Sequence, residues 1–147
     1  MSQYLSFQLI NKTNPDIKVD LGYWCTSIAR GIPYNFENIF HYTESDVALD
    51  IHTLKSYIEI LHEGVEKYKA YLREEQDSKQ ENTNLLIKAE TQVAVDAIRE
   101  SITINEESIK DWEDEIETWS SVENKLNFIL NVLDENKDEW ELMYNNS

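Results

Sequence analysis

Hydrophobic and polar positions divide the chain into two regimes of different period. Leu5, Phe7 and Leu9 alternate with Tyr4, Ser6 and Gln8, and beyond Asn14-Pro15-Asp16 a second alternation places Ile17, Val19 and Leu21 between Lys18 and Asp20. Period 2 on both sides of a turn containing Pro predicts a β-hairpin. Two strands alone are marginal in water. The Leu5/Phe7/Leu9 face must therefore pack on helices or gain strands from another subunit. Residues 23–42 are aromatic-rich and irregular, and read as a packing loop with a short helix at 24–30.

From Thr43 the period becomes helical. Thr43-Glu44-Ser45-Asp46 resembles a capping box. Val47, Ile51, Leu54, Ile58, Leu61, Val65, Tyr68 and Leu72 then recur in alternating steps of four and three, the spacing of a coiled-coil seam. Residues 74–84 are polar throughout, and a chain reversal near Asn82–Asn84 is expected there. Two further seams follow. One runs Val95, Ile98, Ile102, Asn105, Ile109, Trp112, Ile116, Trp119, and the other Val122, Leu126, Ile129, Leu133, Asn136, Trp140, Met143. Steps of three on both sides of Trp119 require a stammer in a continuous helix. Ser120 with Glu123 offers a second capping box, which favours a break.

The expected fold is mainly α: a short N-terminal β-hairpin followed by two to three long antiparallel coiled-coil-like helices, elongated. The expected division is 1–42, hairpin and packing segment, and 43–147, a bundle with helices at 43–75, 85–119 and 121–145. Asn105 and Asn136 at seam positions, and seams in need of partners, point to a specific homo-oligomer.

Composition sharpens this picture. The 147 residues contain only 3 Gly and 2 Pro, which favours long elements over turns. The formal net charge is -16. Residues 1–42 are neutral, with Asp16, Asp20 and Glu37 against Lys12, Lys18 and Arg30, so the whole charge lies in the helical part. A chain this acidic has no basic footprint for nucleic-acid phosphates or anionic lipid. No signal peptide and no apolar run of membrane-spanning length is visible, and Cys25 has no partner for a disulfide. A cytoplasmic protein is expected.

Candidate chemistry is sparse. Glu59-Ile60-Leu61-His62 is one E-x-x-H step, whereas a di-iron bundle needs two. His52 and His62 lie about 15 Å apart along a helix and cannot share an ion; His41 completes the histidines. Cys25 and Ser27 lack a nucleophile signature, and no glycine-rich phosphate loop exists. No cofactor and no catalysis are expected. Between Glu100 and Glu141, fourteen acids face Lys110, Lys125 and Lys137, a net of −11. That is one net charge per ~6 Å of helix, dilute beside duplex DNA. A solvated face is the plain reading. The functional one is docking on a protein partner with a basic surface through Glu106, Glu107, Asp111, Glu113, Asp114, Glu115 and Glu117. An alternative is an oligomeric sponge that holds a nucleotide-like signal near Tyr23, Trp24 and Arg30 or beside Arg99. A structural coiled-coil component is a third reading.

Tyr4-Leu5-Ser6-Phe7-Gln8, then Val19-Asp20-Leu21-Gly22-Tyr23-Trp24, then long acidic helices, resembles small phage-encoded accessory proteins. The resemblance covers the first forty residues best. It implies a role in the cytoplasm of an infected bacterium, with counter-defence (blocking a host defence protein) as a common one, and it carries no catalytic residues.

Overall fold

The computed structural model describes residues 2–27, 45–136 and 138–146, with side chains described for 5–22, 45–136 and 138–145. The elements run β1 (Ser2–Asn11), β2 (Lys18–Ser27), β3 (Val47–Ala48), α1 (Ile51–Lys88), α2 (Gln92–Asn136) and β4 (Trp140–Asn146). The protein is mainly helical, with an N-terminal antiparallel hairpin and two long helices. Its contacts divide it into two compact units. The first joins residues 1–62 to 121–147, and the second is the continuous stretch 63–120.

In the first unit a four-stranded antiparallel sheet has the order β2-β1-β4-β3. The hairpin turn is held by Asn11, whose Oδ1 accepts from the backbone N–H groups of Thr13 and Asn14, and by Asn14, whose Oδ1 accepts from Asp16. The register between β1 and β2 slips after Phe7, which pairs with Gly22, while Gln8 pairs with Asp20. This bulge leaves Leu21 as the additional residue, and Gly22 takes the positive φ of 149° that a side chain would resist. Leu21 is buried, whereas Ile17, just before the sheet's outer strand, and Val19, on it, stay 48% and 42% exposed.

The strands that stabilise the hairpin come from the same chain. β4 pairs with β1, setting Leu9 opposite Leu142 and Phe7 opposite Tyr144, and β3 completes the edge. Leu5, Phe7, Leu9, Leu142 and Tyr144 of the sheet are buried, as are Leu54, Tyr57 and Leu61 of α1 and Val122, Leu126, Ile129 and Leu133 of α2 in the same unit. Tyr144 stacks on Phe7 and meets Tyr57 edge-on. Burial pushes the Tyr57 phenol above its ordinary range, with a hydrogen bond to Tyr144 as the second cause. His62 Nδ1 meets Glu123 Oε1 at 2.8 Å, linking the two helices.

In the second unit, residues 63–88 of α1 run antiparallel to residues 92–120 of α2. Tyr68 is buried against Trp112 and Trp119, and Tyr71 lies 5.0 Å from Trp112 by ring centroids. Gly64, a weak helix former by about 1 kcal/mol relative to Ala, is buried beside Leu61, Val65 and Tyr68. Burial of such residues contributes roughly 1.5–3 kcal/mol each, enough to outweigh it.

Several helix boundaries differ from those the periodicity predicts. Thr43 lies outside the described residues, and Asp46 and Val47 are not helical. The N-cap of α1 is Asp50, whose Oδ1 accepts from the Thr53 N–H at 2.7 Å. No reversal occurs at Asn82–Asn84. The heptad phase continues from Leu72 through Glu75, Lys79, Asn82 and Leu86, with polar side chains in apolar places, and α1 ends at Lys88. The chain turns through Ala89-Glu90-Thr91, and Thr91 caps α2 by accepting from the Ala94 N–H. Ser120 caps nothing, because α2 is continuous through it. Buried Trp119, Val122 and Leu126 show that the helix accommodates the stammer. Trp140 and Met143 belong to β4, so in place of a separate helix over 121–145 the end of α2, to Asn136, is followed by a strand. Asn136 is exposed at the end of α2, donating to the Val132 carbonyl, and is not a seam residue. Trp24, Cys25, Thr26 and Ser27 lie in β2 where a helix over 24–30 is expected; residues 28–30 lie outside the described residues. Within each unit the helical seams close on the same chain, so seam burial gives no reason of its own to invoke a second copy.

Candidate functional site

All seven predicted partner-binding acids lie on α2 in the second unit. With 3.6 residues per turn they fall into two adjacent rows. Glu106, Glu113 and Glu117 form one, and Glu107, Asp111 and Asp114 the other, with Glu115 beyond it. Six are exposed, and Glu115 is half-buried. Glu115 and Glu106 are among those engaged within the chain. Glu115 accepts from the Trp119 indole N–H at 3.0 Å, which places it in the packing of the aromatic cluster. Glu106 lies 3.5 Å from Lys79 across the helix pair, an exposed contact that contributes little. The second unit holds sixteen acids against seven bases, a net of −9. Apart from half-buried Glu75 and Glu115, these carboxylates are exposed and carry their charge on the surface, as electrostatic steering requires.

Asn105 is the buried polar residue of the helix pair, 7% exposed. Its Oδ1 accepts from Asn82 at 2.9 Å, and its Nδ2 donates to Glu75 at 3.0 Å and to Ser78 at 3.2 Å. This layer sits in the seam immediately before Glu106 and Glu107, the first acids of the face. The Asn105 seam position was legible from spacing. Its partners were not, since they occupy the polar stretch that reads as a reversal.

The residues of the sponge reading fare differently. Arg99 is exposed on α2 in the second unit. Tyr23 and Trp24 belong to β2 in the first unit, and their side chains, together with Arg30, lie outside the described residues. His41 and the side chains of Cys25 and Ser27 lie outside them too. His62 pairs with Glu123 and not with Glu59. Among the described residues no three His, Cys, Asp or Glu side chains gather as metal ligands, and no helix is long and apolar enough to cross a membrane.

A cleft of about 250 Å³ in the first unit is lined by residues including Lys12, Asp50, Ile51, Leu133, Trp140 and Glu141. It falls below the ~300–1,000 Å³ usual for small-molecule sites. None of the residues expected to bind a ligand lines it.

Sequence reasoning also missed an apolar feature. Ile87 and Val93, on either side of the helical turn, are 81% and 80% exposed, and Ile104 is 55% exposed. The available signal was a second run of heptad spacing on α2, out of phase with the buried one.

The chain matches no protein-family model, and no match is found among curated proteins or solved structures.

Proposed function

We propose that the chain is a non-enzymatic acidic interaction protein, of the phage accessory type, that binds and blocks a basic surface of a host protein. The observation that carries this reading is the exposed acidic face of α2, above all Glu107, Glu113, Asp114 and Glu117, on a unit of net charge −9. Such a face attracts a basic partner at a distance and fixes its orientation on contact. Its charge is too sparse to imitate duplex DNA, at one net charge per ~6 Å of helix against one per ~1.7 Å. A protein surface of dispersed Lys and Arg is the better match.

The test is capture of host proteins by the immobilised chain at low salt, repeated with Glu107, Glu113, Asp114 and Glu117 changed to Lys. The expected partner is held by the native chain, released as salt rises and lost on charge reversal. A partner retained equally by both chains and at high salt contradicts the reading.

A further inference from the structure

One face of α2 combines exposed apolar and acidic side chains in a regular order. Val93, Ala97, Glu100, Ile104, Glu107, Asp111 and Asp114 follow one another in steps of four and three, and all are exposed. The buried seam of the same helix passes through Val95, Ile98, Ile102, Asn105, Ile109 and Trp112, more than a third of a turn away around the axis. The helix therefore has two heptad faces. One is filled by α1, and the other is exposed along about 30 Å, all within the second unit. Val93 at 80% and Ile104 at 55% exposure are among the most exposed large apolar side chains described. Acids interrupt and follow them along the same line.

We infer that this stripe, resting on the docking role proposed above, is the seat of an amphipathic α-helix of the partner, with Lys and Arg flanking its apolar seam. A stripe of heptad spacing is the complement of a helix whose own apolar and basic positions recur at the same spacing. Apolar anchors set against Val93, Ala97 and Ile104 provide burial, and cations set against Glu100, Glu107 and Asp114 provide register. A second copy of the chain is a poor occupant. In-register pairing sets these acids against each other, and three apolar side chains fall well short of the ~1,200–2,000 Å² of a stable interface.

The test uses the full chain and a labelled three-heptad peptide with Leu at a and d and Lys at e and g, titrated by fluorescence anisotropy. A second peptide keeps every Lys but replaces Leu by Ser. The amphipathic peptide is expected to bind about tenfold more tightly than the Ser peptide, an effect of apolar burial. Val93→Ser with Ile104→Ser removes that advantage and leaves the salt dependence intact. Glu100→Lys with Glu107→Lys weakens both peptides and flattens the salt dependence. Phe128→Ser, an exposed apolar residue of the first unit, leaves both affinities unchanged. Circular dichroism confirms that each variant keeps its helices. Equal binding of the two peptides, with no effect of V93S/I104S, overturns the helix inference while the acidic docking role stands. Binding of neither basic peptide removes both. A dimer seen by light scattering and dissolved by V93S/I104S reassigns the stripe to contact between copies and also overturns the inference.

Discussion

The side-chain amide of Asn82 donates to Oδ1 of Asn105 at 2.9 Å and thereby closes a polar layer inside the helix pair. Glu75 and Ser78 complete the hydrogen bonding of Asn105. A buried Asn tolerates only the register that supplies its partners, so the layer fixes how α1 and α2 align. Asn105→Ala is expected to cost about 1–3 kcal/mol, because it strands polar groups that have lost water. Replacing Asn82 and Asn105 together by Leu is expected to cost less than the sum of the single changes, measured by urea unfolding. Strictly additive losses contradict a coupled layer.

A second expectation concerns Ser120. A serine at an N-cap loses about 1 kcal/mol on change to Ala. Inside a continuous helix the same change is neutral or stabilises by up to ~0.5 kcal/mol, since Ala is the better helix former. The unbroken α2 predicts the second outcome for Ser120→Ala in thermal unfolding. A loss of cap size would mean that the helix divides there.

Asp50 makes the start of α1 sensitive to acid. The Thr53 N–H, and then the Thr53 hydroxyl, hold its carboxyl below the usual carboxylate range. The folded state therefore releases this proton more readily than the unfolded state. The resulting stabilisation is present above the ordinary Asp range near pH 4 and disappears as pH falls through the lowered folded value. Asp50→Asn keeps an acceptor for Thr53 and removes the titration. Its unfolding midpoint should lie below that of the native chain at neutral pH and converge with it in acid. A constant gap between the two across that range argues against the cap.

Tyr57 sets the alkaline limit in the opposite sense. Its phenol is buried against Tyr144 and resists ionisation in the folded state, while the unfolded phenol ionises near pH 10. The unfolded state thus binds fewer protons above that pH, and stability falls as pH rises. Tyr57→Phe is expected to shallow this decline, with tyrosinate absorbance and helical circular dichroism followed together. An unchanged alkaline decline in the variant would show that Tyr57 is not the group responsible.

The hairpin was legible because its signals are local: Leu5, Phe7 and Leu9 alternate, and Asn11 and Asn14 shape the turn within a few residues. The seam from Leu54 to Tyr68 was legible for the same reason. β4 was not, since Trp140 and Met143 fit a helical step as well as a strand, and the choice is made by pairing with β1 at the other end of the numbering. The polar continuation of α1 was hidden because hydropathy marks apolar seams only. Glu75 and Asn82 keep the phase while losing that signal. The acids of the candidate face could be listed from sequence, yet the structure was needed to set Glu115 on Trp119 and Glu106 beside Lys79. The open line of Val93 and Ile104 was visible only once the buried face was known.

The placement of β4 between β1 and β3 has a kinetic consequence. The hairpin and the helix pair depend on near neighbours and can form early, whereas Leu9 reaches Leu142 only by closing almost the whole chain into a loop. Loop closure of this kind slows folding. The strand at Trp140–Asn146 must leave the ribosome before the free edge of β1 is paired. Until then the hairpin presents an unpaired strand edge, and the nascent chain is most exposed to aggregation and proteolysis in that interval.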